Sequence, residues 1–184
     1  MPSPKNLAII AAAGSRKTEV IIEMALADPG RRVLITTYTD ENKRQITARI
    51  QAKSDGLVPP NITISGWFTF LVNQAVRPYQ NSVTGRVGHV GVLNFIGAKA
   101  RGVSKSQSAY FFDRHGDIFR DGVSDFACIA NTNSEGKVIN RLEQIYDDIY
   151  IDEVQDLVGY DLDFLDLLLK STIGTAPGFV DSLT

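Results

Sequence analysis

Cysteine is almost absent from this chain. Cys128 is the one thiol in 184 residues, which excludes an intrachain disulfide framework and a cysteine-cluster zinc site. Histidine is equally scarce, and His89 and His115 have no partner ligands at metal spacing, so both read as structural or surface residues. Neither sign of charge dominates. Lys+Arg total 19 against Asp+Glu 21, a formal net charge of -2, so nucleic-acid binding cannot rest on overall basicity and needs a local patch. Apolar runs are far shorter than a membrane span, and the amino-terminal residues lack the apolar core of a secretion signal. The expectation is an α/β protein of the cytoplasm with no membrane partner. Hydrophobic residues make up 43% of the chain, enough to bury a core without covalent staples.

What is present has an α/β rhythm. Residues 7–12 (LAIIAA) are apolar without alternation, as in a strand covered on both faces. A small polar segment follows, then a helical pattern through Val20, Ile21, Met24, Ala25 and Leu26 that Asp28-Pro29-Gly30 stops. Residues 33–38 (VLITTY) predict a second strand. Asp40 is a candidate N-cap for a helix burying Ile46 and Ile50. A third strand at 62–65 leads into an aromatic helix, 67–76. Strands alternating with helices predict a parallel sheet.

From 78 to 136 glycine, serine and asparagine accumulate and periodicity fades, which reads as an insertion or subdomain. An amphipathic helix at 137–146, a strand at 149–151 and a leucine-rich helix at 162–169 restore the pattern, and residues 171–184 read as irregular. The expected organisation is therefore 1–77, an insertion at 78–136, and 137–184.

A strand, a loop of small residues ending in Lys-Thr, and a helix form the layout of a phosphate loop. Exposed backbone N–H groups and a helix N-terminus attract phosphate. Ala13, Gly14, Ser15 and Arg16 would form the cradle. Lys17 would reach the terminal phosphates, and the Thr18 hydroxyl would be a magnesium ligand. Ala11 stands at the first glycine position of the usual pattern, and Arg16 at the glycine before the lysine. A side chain at position 16 either points outward or donates to the phosphates itself.

The second signal is Ile149-Tyr150-Ile151-Asp152-Glu153-Val154-Gln155-Asp156. An apolar strand ending in Asp-Glu suits a magnesium-holding carboxylate, Asp152, followed by a base for the attacking water, Glu153. Ligands of open α/β sheets bind at the carboxyl ends of strands, where both motifs fall.

The string Asp152-Glu153-Val154-Gln155-Asp156 resembles the DExQD motif of superfamily 1 helicases of the UvrD/Rep type. Residues 11–18 (AAAGSRKT) are similar to that family's AGAGSGKT loop, 36–50 (TTYTDENKRQITARI) to its TFTNKAA-type segment, and 63–70 (TISGWFTF) more loosely to TFHSF. The resemblance implies an amino-terminal RecA-like P-loop NTPase domain that binds ATP and Mg2+, its parallel sheet flanked by helices, with 78–136 in the place of the inserted, helical 1B subdomain. It implies catalytic roles for Glu153 and Gln155, the latter coupling the γ-phosphate to movement. Tyr38, Thr39, Ser65 and Trp67 would lie on a single-stranded DNA track. The family's upstream glutamine motif, its GDxxQ motif and its second RecA-like domain have no counterpart in these residues. A second domain, in a longer protein or a partner, is therefore expected to complete the cleft, with weak or no turnover from this chain alone. The competing expectation is an interaction module that keeps the fold without nucleotide.

Other features carry milder expectations. Trp67, Phe68 and Phe70 could stack on bases, but they cannot all face one way on a helix, so core packing is the expected role for at least two. Lys43, Arg44 and Arg49 give the second helix a basic face. Cys128, between Ala127 and Ile129, reads as a packing residue and not a nucleophile.

Overall fold

The computed structural model describes residues 17–85, 88, 90–97 and 102–177. The expected strand at 7–12 and the loop residues Ala13, Gly14, Ser15 and Arg16 lie outside the described residues. In chain order the elements are α1 (Lys17–Leu26), β1 (Val33–Thr37), α2 (Asp40–Lys53), β2 (Ile62–Gly66), α3 (Trp67–Leu71), a π-helical turn (Val72–Val76) and α4 (Arg77–Thr84). There follow β3 (Leu93–Asn94), α5 (Ser108–Phe111), β4 (Ile118–Phe119), α6 (Val123–Asn133), α7 (Lys137–Ile145), β5 (Asp148–Ile151), α8 (Tyr160–Leu169) and β6 (Gly174–Pro177). They divide into two units.

The first unit comprises the chain through Trp67, Glu143–Val158 and the residues from Asp166 onward. Its sheet has the order β2-β1-β5-β6, and every pairing is parallel. β1 is central because all five of its residues are apolar or β-branched and all five are buried. Val33 and Ile35 share one face with Ile62 and Tyr150, and there they pack on Ile21, Ile22 and Ala25 of α1 and Ile46 and Ile50 of α2. Each such side chain contributes roughly 1.5–3 kcal/mol on full burial.

Register is anchored at the amino ends of the strands. Arg31 grips Asp148 with two hydrogen bonds, Nε to Oδ2 at 2.5 Å and Nη2 to Oδ1 at 2.7 Å. Arg32 grips Asp147 in the same fashion, at 3.1 and 2.9 Å. This second pair holds the Asp147 carboxyl down to about 2, chiefly through the Arg32 side chain and backbone N–H.

Two expectations are corrected here. α2 is capped by Thr39, whose hydroxyl accepts from the Asn42 N–H at 3.2 Å, and not by Asp40. Asp40 instead stands in the first turn with Glu41, where negative charge suits the helix dipole. The stretch after Lys170 is not irregular throughout, since Gly174–Pro177 forms β6 against β5. Glycine is needed at that edge. A Cβ on Gly174 would stand 2.2 Å from Asp148 Oδ1, a carboxylate oxygen that Arg31 holds in place.

The second unit comprises Phe68–Leu142 and Gly159–Leu165. It extends beyond 78–136 on the amino side, where the π-helical turn and α4 run across residue 78, and on the carboxyl side, where it takes in α7 as far as Leu142. α4 carries Pro78 in its first turn, where no N–H is needed, and kinks at Tyr79 (φ -121, ψ 16). The unit is mostly helical with a short parallel pair, β3 and β4. Phe126 is its aromatic centre, with Phe111 and Phe112 edge-on at 5.0 and 5.6 Å. Buried charge is partnered: Lys105 Nζ reaches the Asp125 carboxylate at 2.8 Å and the Tyr160 hydroxyl at 2.8 Å, and Ser124 donates to Asp161.

Candidate functional site

β5 delivers Asp152 to the carboxyl edge of the sheet. Its N–H donates to the Thr36 carbonyl at 2.8 Å, one step beyond the last paired residues Thr36 and Ile151. The side chain is 4% exposed. From the other direction, the first turn of α1 presents Lys17 and Thr18. The Thr18 hydroxyl donates to Asp152 Oδ2 at 3.3 Å, joining positions 134 residues apart. Two residues singled out from separate sequence motifs thus meet at one strand end.

The electrostatics follow from that placement. Burial pushes the Asp152 carboxyl above its ordinary range, and the neighbouring Glu153 charge adds to the effect. The Thr18 hydroxyl, the Glu153 backbone N–H and the Lys17 charge pull the other way and do not cancel it. A buried anion with so little compensation is stabilised by an added cation.

Glu153 follows in the left-handed region (φ 60, ψ 48), a conformation that disfavours a side-chain-bearing residue. That turn stops the strand and starts a 3-10 turn over Val154–Asp156. Glu153 is half-buried and Gln155 exposed, and the Gln155 amide donates to the Glu153 carboxylate. The pair named from the DEVQD string is therefore in mutual contact.

The residues expected on a DNA track are spread differently. Thr39 is exposed but occupied as the α2 cap, Tyr38 is half-buried, and the half-buried Ser65 donates to the Gly66 carbonyl at 3.2 Å. Trp67 is 1% exposed, so its expected place on a track is corrected: no ring face is open to a base. Phe70 is buried as well, at 2%, which agrees with core packing for at least two of the three aromatics. Phe68 is half-buried and lies under the Arg120 guanidinium at 5.2 Å. Along α2, a depression of about 450 Å³ is lined by Asp40, Lys43, Arg44, Thr47, Ala48 and Gln51, so part of the basic face borders a groove.

Sequence reasoning passed over two residues. Thr36 and Thr37 are 0% and 1% exposed, and neither hydroxyl has a hydrogen-bond partner among the described residues. The paired threonines at a strand end were the available signal, but β-branched residues are ordinary in strands.

Thr18 and Asp152 fit magnesium. Among the described residues no group of three His, Cys, Asp or Glu side chains could hold an ion, so an all-protein cage is not offered. Magnesium characteristically takes one or two protein ligands and completes its shell with water and phosphate oxygens. Cys128 is unsuited to nucleophilic work: burial, then the charges of Asp163, Asp125 and Asp161, push its thiol up to about 12. Among the described residues no helix is long and apolar enough to cross a membrane.

In comparison with known proteins, no family model matches the chain and no curated protein matches it.

Proposed function

We propose that the chain is the ATP- and magnesium-binding half of a helicase-type motor, a RecA-like P-loop domain resembling those of UvrD/Rep helicases. In this reading it acts on single-stranded DNA, in repair or in defence against foreign DNA, with a second RecA-like domain from a longer protein or a partner. The observation that carries the reading is the 3.3 Å contact between Thr18 and Asp152. A hydroxyl at a helix start and a buried carboxylate at a strand end share one point, with a lysine charge beside them.

Each residue then has a role that follows from its position. Lys17 and the α1 N-terminus hold phosphate oxygens. Thr18 and Asp152 hold magnesium, Asp152 directly or through water. Bound Mg2+ supplies neutralisation of the charge that develops on the phosphates during transfer. Glu153 takes the proton of the attacking water, and Gln155 keeps that carboxylate in place. An arginine brought from outside is worth about 10³–10⁵ in rate in related phosphoryl transfers, so this chain alone turns over slowly.

The test is equilibrium binding of a fluorescent ATP analogue with magnesium. The wild-type chain saturates and Lys17→Ala does not. Absence of saturable wild-type binding up to about 1 mM would overturn the reading.

A further inference from the structure

Thr37 ends β1 with its side chain buried and its hydroxyl without a partner among the described residues. Its register neighbours explain what it faces. On β2 the paired residue is Gly66, which contributes no side chain. On β5 the residue one step past the pair Thr36 and Ile151 is Asp152, held in that register by its N–H to the Thr36 carbonyl. Side chains alternate along a strand. Thr37 therefore shares a sheet face with Ile35, and Asp152 with Tyr150, the face that packs on α1 and α2. One face, at one edge, holds an unpaired hydroxyl, a vacant glycine position and the carboxylate that Thr18 touches.

We infer that Thr37 is a positioning residue for the metal: its hydroxyl holds a water of the ion's hydration shell beside Asp152. The inference rests on the nucleotide reading above and adds a residue to it. A buried hydroxyl left unpaired is destabilising, so the position has a use that outweighs its cost, and a water bound to a cation is an acceptor-seeking, well-ordered partner. Thr37 also lies two residues before Thr39, the cap of α2. A change in the metal shell therefore has a short covalent route to the Tyr38–Thr39 segment.

Thr36 provides an internal control. It is equally buried and equally unpaired, but alternation puts it on the opposite face with Leu34.

The experiment titrates magnesium against binding of the fluorescent ATP analogue by the full chain, and records melting without ligand. Thr37→Val should raise the magnesium concentration for half-maximal binding about tenfold, the range found for groups that support metal ligands. Thr37→Ser should restore the wild-type curve, and Thr36→Val should leave it unmoved. Without ligand, Thr37→Val should melt no lower than wild type, since a shape-matched side chain replaces an unpaired hydroxyl. A Thr37→Val curve that superimposes on wild type overturns the inference alone. So does a lowered ligand-free melting temperature, which would mark the hydroxyl as paired in the fold. If the wild-type chain shows no magnesium-dependent binding, the nucleotide reading falls and takes this inference with it.

Discussion

The hydroxyl of Thr18 donates to the carboxylate of Asp152 at 3.3 Å. Because Asp152 is buried and its pKa is raised, the folded state holds the carboxyl proton of Asp152 more tightly than the unfolded chain does. Stability from the protonated form is complete below the ordinary carboxyl value of 3.8 and is lost as pH rises through the folded value. Without metal, Asp152→Asn should therefore be more stable than wild type at pH 7, with the gap closing on acidification. Thermal melts with and without magnesium and nucleotide check this. With both ligands added the order should invert, since a carboxylate holds the ion more tightly than the neutral amide does.

Glu153 separates strain from chemistry. A non-glycine residue in the left-handed region costs roughly 1–2 kcal/mol, partly offset for glycine by its greater freedom when unfolded. Glu153→Gly should accordingly gain up to about 1 kcal/mol in urea denaturation. Any phosphate release measured with the completing domain should fall to background. Glu153→Gln should keep nucleotide binding and lose turnover.

Arg31 tests the opposite edge of the sheet. Its bidentate grip on Asp148, which is 11% exposed while Arg31 is 47% exposed, is screened by solvent on one side only. Arg31→Ala should cost about 1–2 kcal/mol of unfolding free energy. It should leave the affinity of the folded protein for nucleotide unchanged, because the pair stands at the strand ends away from Asp152.

Lys105 tests the second unit. Asp125 is 1% exposed, and the Lys105 ammonium satisfies it from a position that is 43% exposed. Lys105→Met should destabilise by about 2 kcal/mol, less than the loss of a fully buried pair because water reaches the site from the lysine side. Chemical denaturation followed by far-ultraviolet circular dichroism, to which the helices of this unit contribute, measures it. A double variant with Asp125→Asn should recover part of the loss.

Where local preference and tertiary context agreed, the elements were legible. β1, α2 and β5 follow from β-branched runs and helical spacing: the two strands differ from their expected bounds by one residue, and α2 begins at Asp40 and buries Ile46 and Ile50. Residues 174–177 read as irregular in isolation, yet they form a strand because β5 offers them an edge to pair with. The π-helical turn at Val72–Val76 has no sequence signature at all. Trp67 looked like a base-stacking platform because aromatic identity carries no information about which way a ring points, and packing buried it.

The order of residues along the chain determined the α/β alternation, the acidic strand end at Asp152-Glu153 and the Lys17-Thr18 helix start, since each depends on neighbours a few positions away. Only tertiary structure decided that Thr18 meets Asp152, that Thr37 stands unpaired beside it, and that Glu153 turns through the left-handed region. Those relationships depend on strand order and register. Both are set by the simultaneous burial of sheet faces from distant segments, a condition that no local stretch of sequence contains.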